Sequence, residues 1–342
     1  MKKKLLLTVV LSLIVAVLSA CGGGGAQESA APSASQSASE SASPAPSASA
    51  APLSFSMGVE PWVGYAPWWI AAEQGIFKKY GLDVKVINFN QDSDINAAFA
   101  SDNIKVANIA THTAMKMIGN NGLDLQGIIL LDDSMEADAI ISKGGIKSVA
   151  DLKGKKVAFE EGTTSDLLLR KALIDNNMSI DDVEVVYMPA SDAGLALLSG
   201  KVDAAVTYEP YISAVKAKGE IQTIYSGANA PGLISDLTVI KSDFLAEHPD
   251  VKNKLRQVWD ETMAYWNNNK EAGDKIVAEK TGLNAADLPV ILEGLNYYTF
   301  SEQVQLADSG DFLKTAENIQ EILTQQKVLE KQVDLNKMIQ LK

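Results

Sequence analysis

The chain is poor in the residues that build disulfides and metal centres. It holds one cysteine in 342 residues, so no intrachain disulfide can form. Its two histidines, His112 and His248, cannot supply a zinc cluster, and neither sits in a recognisable catalytic motif. No Gly-x-x-x-x-Gly-Lys phosphate loop and no Gly-x-Gly-x-x-Gly turn occurs. Positive charge is scarce as well. Asp and Glu number 43 against 30 Lys and Arg, a formal net charge of −13, and Lys2 to Lys4 fall in a segment expected to be removed. So acidic a chain argues against nucleic acid or an anionic membrane face as its main partner.

What is present begins with a leader. Met1-Lys-Lys-Lys-Leu-Leu-Leu7 and the mostly apolar run to Leu18 read as a secretory signal, residues 1–20. It ends Leu18-Ser-Ala-Cys21, the pattern of a bacterial lipoprotein cleavage site, with the sole cysteine at the boundary. Cys21 is therefore expected to carry lipid and to tether the protein outside the cell membrane, each buried CH₂ contributing about 0.8 kcal/mol. The alternative is an ordinary signal with an incidental cysteine. Gly22 to Pro52 contains only Gly, Ala, Ser, Pro, Gln and Glu, so residues 21–52 are expected to be a disordered leash.

Beyond it, strand-like runs at Leu53–Val59, Val84–Phe89, Val106–Ala110, Gln126–Leu131, Lys156–Phe159, Val183–Met188, Ala204–Thr207 and Ile221–Tyr225 alternate with helical patterns. Alternation with short connections predicts an α/β fold with mostly parallel sheets. From Ser242 helix dominates, at Asp243–Asn267, Glu271–Lys280, Ala286–Gly294 and Ser309–Gln326. Ala139 to Lys143 is a plausible crossing into a second domain, and Ser226 to Ile240 a return to the first. The central stretch follows the first strand: Glu60-Pro-Trp-Val-Gly-Tyr-Ala-Pro-Trp-Trp69, with three of the five tryptophans, then a helical pattern from Ile70 to Tyr80 stopped by Gly81. In an open α/β sheet such a turn lies outside the carboxyl end of a strand, where ligands bind.

The segments Trp62-Val-Gly-Tyr-Ala-Pro67 and Ala72-Glu-Gln-Gly-Ile-Phe-Lys-Lys-Tyr-Gly-Leu-Asp-Val84 resemble the opening of solute-binding lipoproteins of ABC importers, in the nitrate/sulfonate/thiamine-precursor family. Gly200-Lys-Val-Asp-Ala-Ala-Val-Thr-Tyr-Glu-Pro210 is similar to that family's Gly-x-Val-Asp-Ala-x-x-x-x-Glu-Pro signature, and the resemblance covers most of the mature chain. It implies a two-lobed periplasmic binding protein fold of type II with the ligand cleft between the lobes. Lobe 1 is expected from residues 53–140 and 230–342, lobe 2 from 141–229. It also implies a monomer, a small-molecule solute, no cofactor, and a separate permease and ATPase as partners.

Candidate ligand residues sit where strand patterns end. Trp62 and Tyr65 lie on the first loop, while Trp68, and more so Trp69, could instead staple the helix to the sheet. Thr111 or Thr113 could cap a helix, and His112 beside them faces either ligand or solvent. Asp132, Asp133, Glu136 and Asp138 crowd the join between two strands; the resemblance points to Asp132 and Asp138 as pocket or hinge residues, and leaves Asp133 and Glu136 at the surface. Thr163, Thr164 and Asp166 follow Gly162 at a helix start, where one hydroxyl suffices as a cap and the resembling receptors place ligand contacts. Tyr208 and Glu209 end the Gly-x-Val-Asp signature, with dipole stabilisation at the next helix as the alternative role for Glu209.

An oxyanion receptor can use helix starts and hydroxyls, often with Lys or Arg. These loops hold no Lys or Arg and offer Glu60, Asp132, Asp138, Asp166 and Glu209 beside aromatic rings. Carboxylates with aromatic faces suit a cation or an amine-rich ring. The expected ligand is thus a small nitrogenous solute, cationic or aminopyrimidine-like. Two alternatives stand: the same receptor for sulfonate, taurine or nitrate, and an extracytoplasmic enzyme on the same scaffold, since relatives of this fold make the thiamine pyrimidine.

Overall fold

The computed structural model of the chain describes residues 51–342; the signal segment, Cys21 and all but the end of the linker lie outside the described residues. Among the described residues the strands run, in chain order, β1 Leu53–Val59, β2 Leu82–Asn88, β3 Val106–Ala110, β4 Leu125–Ser134, β5 Asp138–Ser142 and β6 Lys156–Phe159. They continue with β7 Glu184–Tyr187, β8 Ala204–Tyr208, β9 Gln222–Ser226, β10 Ser235–Lys241 and β11 Leu295–Tyr297.

These strands build two sheets. One has the order β11-β4-β10-β3-β1-β2 and the other β7-β6-β8-β5-β9. The chain crosses from the first sheet to the second between β4 and β5 and returns between β9 and β10. The sheets are mixed, contrary to the mostly parallel arrangement the alternation predicts. The pairs β1–β2, β1–β3, β6–β7 and β6–β8 are parallel, each joined through a helix. The two crossings bring in β5 and β10, which run antiparallel to both of their neighbours. Antiparallel entry needs no crossover helix, so a direct hop between sheets is enough.

Burial explains the strand pattern. In β1, Phe55, Met57 and Val59 alternate into the core. The central strands β3 and β10 are buried along their whole length, as expected for strands covered on both faces. β10, Ser-Asp-Leu-Thr-Val-Ile-Lys, escapes a periodicity reading because it carries buried Ser235, Asp236, Thr238 and Lys241. Its polar groups are matched internally: the Thr238 hydroxyl donates to Asn108 Oδ1 at 2.7 Å, and Asn108 donates to the Gly58 carbonyl at 2.8 Å.

The helix expected over Asp243–Asn267 is broken into Ser242–Glu247 and Val251–Asn268. Pro249 forbids helical backbone at the residue before it, so the chain turns at His248 and restarts. The second of these helices packs Trp259 against Trp68, ring centroids 5.1 Å apart, and Trp68 stacks in turn on Phe77 at 5.9 Å. No helix among the described residues is long and apolar enough to cross a membrane.

Candidate ligand-binding cleft

The carboxyl ends of β1, β3 and β8 and the amino ends of β5 and β10 converge on one cavity between the sheets. It offers about 40 Å³ to the centre of a water molecule. From the first sheet, Glu60, Trp62 and Tyr65 come from the loop after β1, and Asp236 from the start of β10. Helix Asp92–Ala100 adds Ile95 and Asn96. From the second sheet come Asp138 at the start of β5, Tyr208 at the end of β8, and Thr163 with Thr164 at the start of helix Thr164–Asp175.

The loop after β1 is held by bonds that its sequence makes possible. Tyr297 donates to the Val63 carbonyl at 2.5 Å. A Cβ on Gly64 would lie 2.2 Å from Asp132 Oδ2 and 2.3 Å from Trp62 Nε1, so only glycine lets these groups meet. With that clearance Trp62 Nε1 donates to Asp132 Oδ1 at 3.2 Å, and the Tyr65 hydroxyl donates to Asp236 Oδ1 at 2.7 Å.

Negative charge dominates this wall. Asp132 and Asp236 stand directly opposite one another on the antiparallel strands β4 and β10, and like charges so placed oppose folding. Asp132 is wholly buried, and its Oδ2 has no hydrogen-bond partner among the described residues. Burial pushes its pKa well up, with Asp236, Asp133 and Asp138 adding to the rise against the opposing Trp62 bond. Burial likewise lifts the Tyr65 hydroxyl far above its usual range, helped by Asp236, Glu60 and Asp132. Among the lining residues there is no Lys or Arg.

Of the candidates named from sequence, Trp62, Tyr65, Asp138, Thr163, Thr164 and Tyr208 are brought together on the cavity. Asp132 lies one layer behind, under Trp62. Thr111 is buried at the foot of its helix and shares a 2.8 Å hydrogen bond with Ser235. His112 and Asp166 line a separate, smaller cavity with Arg170 and Gln326. There Asp166 accepts from Arg170 Nε at 2.5 Å and from the Gly162 amide at 3.0 Å. Burial lowers the His112 pKa to about 3, with nearby Lys116 adding to the shift. Glu209 turns into its own helix start, accepting from the Ser213 amide and hydroxyl at 3.0 Å each. Trp68 is a core residue with no exposed surface, the stapling role.

Asp133, placed at the surface by sequence, is buried in β4 and accepts from the Tyr298 hydroxyl at 3.0 Å. The acidic stretch is strand down to Ser134 rather than a turn, and only Glu136 is exposed. Sequence reasoning missed Asp236 and Asn96. The available signal for Asp236 was a carboxylate inside Leu233-Ile-Ser-Asp-Leu-Thr-Val-Ile240, a run otherwise too apolar for the surface.

A profile of the NMT1/THI5-like family matches residues 62–272. The chain belongs to that family. A Brucella abortus (strain 2308) protein described as a binding protein is 28% identical over 261 residues, spanning 72% of this chain and 80% of its own. The taurine-binding periplasmic protein of Escherichia coli (strain K12) is 24% identical over 262 residues, 71% of this chain and 81% of its own. The crystal structure of the Escherichia coli periplasmic aliphatic sulphonate binding protein SsuA superposes with a TM-score of 0.69 at 21% identity, covering 84% of this chain and 97% of that one. The fold is the two-lobed periplasmic binding protein fold, and this family member is a solute-binding protein rather than an enzyme.

Proposed function

We propose that the chain is the extracytoplasmic receptor of an ABC importer, and that its solute is a small nitrogenous compound, cationic or aminopyrimidine-like. The observation that carries the ligand class is the character of the cavity wall. Glu60, Asp138 and Asp236 line it, Asp132 stands behind, and no Lys or Arg is among the lining residues. Three of the wall's donors are spent close by. Trp62 donates to Asp132, Tyr65 to Asp236, and Thr163 to the Glu160 carbonyl at 2.9 Å. The acidic wall suits a ligand rich in N–H groups; an anion would be placed beside several carboxylates and no lining Lys or Arg.

The feature favouring an anion is the start of helix Thr164–Asp175, since helix N-termini attract negative charge. That end already carries the chain's own anion. Asp166 lies in the first turn and accepts from the Gly162 amide, which supports the cationic reading over a sulfonate or nitrate.

In this reading the lobes, residues 53–140 with 230–342 and residues 141–229, close on the solute, and the closed shape is read by a permease with its ATPase. Cys21 anchors the receptor outside the membrane as a lipid-bearing monomer. Thermal unfolding of the purified protein against amines, guanidinium compounds, aminopyrimidines, taurine and nitrate tests the ligand class. A solute at 100 times its dissociation constant adds about 2.7 kcal/mol of stability. A rise in midpoint with nitrogenous solutes supports the proposal, and a rise with taurine or nitrate alone overturns it.

A further inference from the structure

The polar side chains on the cavity differ in how far the protein already uses them. Asp236 accepts from Tyr65 at 2.7 Å, and Glu60 and Asp138 are likewise engaged within the chain. Trp62 donates to Asp132, and Thr163 to the Glu160 carbonyl. Asn96 differs from these. It lines the cavity, and its Oδ1 is buried with no hydrogen-bond partner among the described residues.

The fold holds Asn96 in that position. Ile95 and Phe99, one turn apart on helix Asp92–Ala100, are both buried and fix the rotation of the helix about its axis. Asn96 follows Ile95, roughly 100° further round, and so stands beside the buried stripe and not within it. Gly58 in β1 sets how close the helix comes. A Cβ there would lie 2.6 Å from Ile104 Cδ1 and 2.9 Å from Ile95 Cγ1. The missing side chain lets Ile95 seat against β1 just before the strand gives way to Glu60 on the cavity.

A buried carbonyl oxygen without a donor destabilises a fold, and a ligand that donates to it recovers that loss on binding. Such a bond also supplies direction. A carboxylate attracts a cation from any side, whereas a hydrogen bond weakens steeply as its angle closes.

We infer that Asn96 is the residue that orients the solute, its Oδ1 accepting one N–H of the bound molecule while the acidic wall supplies the attraction. This rests on the N–H-bearing solute proposed above and adds a specificity residue to it. A quaternary ammonium meets the wall's charge but has no N–H to give, so Asn96 selects against it.

Two variants of similar shape test the role. Asn96→Leu keeps the branching of the side chain and removes both polar atoms; Asn96→Asp keeps an acceptor and removes the amide donor. The purified proteins are titrated calorimetrically with methylguanidinium, 4-aminopyrimidine, tetramethylammonium and taurine at matched ionic strength, and unfolded in urea without solute. The unaltered protein is expected to bind methylguanidinium or 4-aminopyrimidine more tightly than tetramethylammonium by about tenfold or more. Asn96→Leu is expected to weaken that binding by about tenfold or more, yet to unfold at no lower urea concentration, because leucine leaves no orphaned oxygen. Asn96→Asp is expected to hold the affinity within about threefold.

Unchanged affinity in Asn96→Leu, as when Oδ1 serves only an ordered water, overturns the inference. A lower urea midpoint in that variant makes Asn96 structural and also overturns it. Equal losses in both variants mean that the amide donates to the solute, which overturns the inference and leaves the nitrogenous function standing. So does binding of tetramethylammonium as tightly as the N–H-bearing probes. Binding of taurine alone, or no heat with either N–H-bearing probe at millimolar concentration, overturns the inference and the proposed ligand class together.

Discussion

Tyr65 donates its hydroxyl proton to Asp236 at 2.7 Å, joining residues 171 positions apart. Tyr65 belongs to the first loop of the chain's fold, and Asp236 to the strand by which the chain returns after building the whole second sheet. The cavity wall is therefore complete only when both crossings have been made. Asp236 also faces Asp132 across β4 and β10, so the Tyr65 bond offsets part of the repulsion between two buried carboxylates.

Asp236→Asn keeps the shape and an acceptor while removing the charge. Loss of a charge-assisted hydrogen bond is expected to weaken binding of a cationic solute by about tenfold or more, or about 1.4 kcal/mol. Tyr65→Phe removes the hydroxyl that donates to Asp236 and is expected to lower stability by about 1–3 kcal/mol. Calorimetric titration and urea unfolding read the two effects separately. Unchanged affinity in Asp236→Asn would remove Asp236 from the site.

Trp68 separates packing from binding. It is fully buried between Phe77 and Trp259, so Trp68→Ala is expected to destabilise the protein by roughly 3–5 kcal/mol. The milder Trp68→Phe, measured by titration on folded protein, is expected to leave solute affinity within about twofold, because Trp68 does not line the cavity. A larger loss would return Trp68 to the binding machinery.

Asp166 serves its own helix through the Gly162 amide and Arg170. Asp166→Asn is expected to cost about 1 kcal/mol of stability as a weakened cap, with affinity altered less than about twofold. A tenfold fall in affinity would instead make Asp166 part of the ligand site.

Two buried groups should give opposite pH dependences. His112 has a folded pKa of about 3, below its ordinary 6.5, so its contribution is full above 6.5 and is lost as pH falls toward 3. Asp132 has a folded pKa well above 3.8, so its contribution is full below 3.8 and is lost as pH rises toward the folded value. Each changes stability by at most about 1.4 kcal/mol per pH unit. Between pH 4 and 6, His112→Gln should therefore remove a rise of stability with pH, and Asp132→Asn should remove a fall. Urea unfolding across that range checks both signs, and parallel profiles for the two variants would contradict the assignment.

Local pattern alone carried the α/β class, most element positions, and the loop Trp62–Tyr65 beyond the end of the first strand, because periodicity, glycine and proline act over a few residues. It also carried the charge argument, since no Lys or Arg occurs in the candidate loops. What it could not decide was direction. Trp62 and Trp68 are six residues apart, and both were candidates for ligand contact. Only packing sends one into the cavity and the other against Trp259. Asp138 and Asp166 were equally acidic and equally near a strand end. Arg170, one helical turn on from Asp166, claims that carboxylate, while Asp138 remains on the cavity. Asp236 stayed hidden because its strand gains its meaning from β3 and β4 on either side, contacts made more than 100 residues away in sequence. Burial and pairing are properties of the assembled sheets, and they decide which of many similar side chains face the cavity.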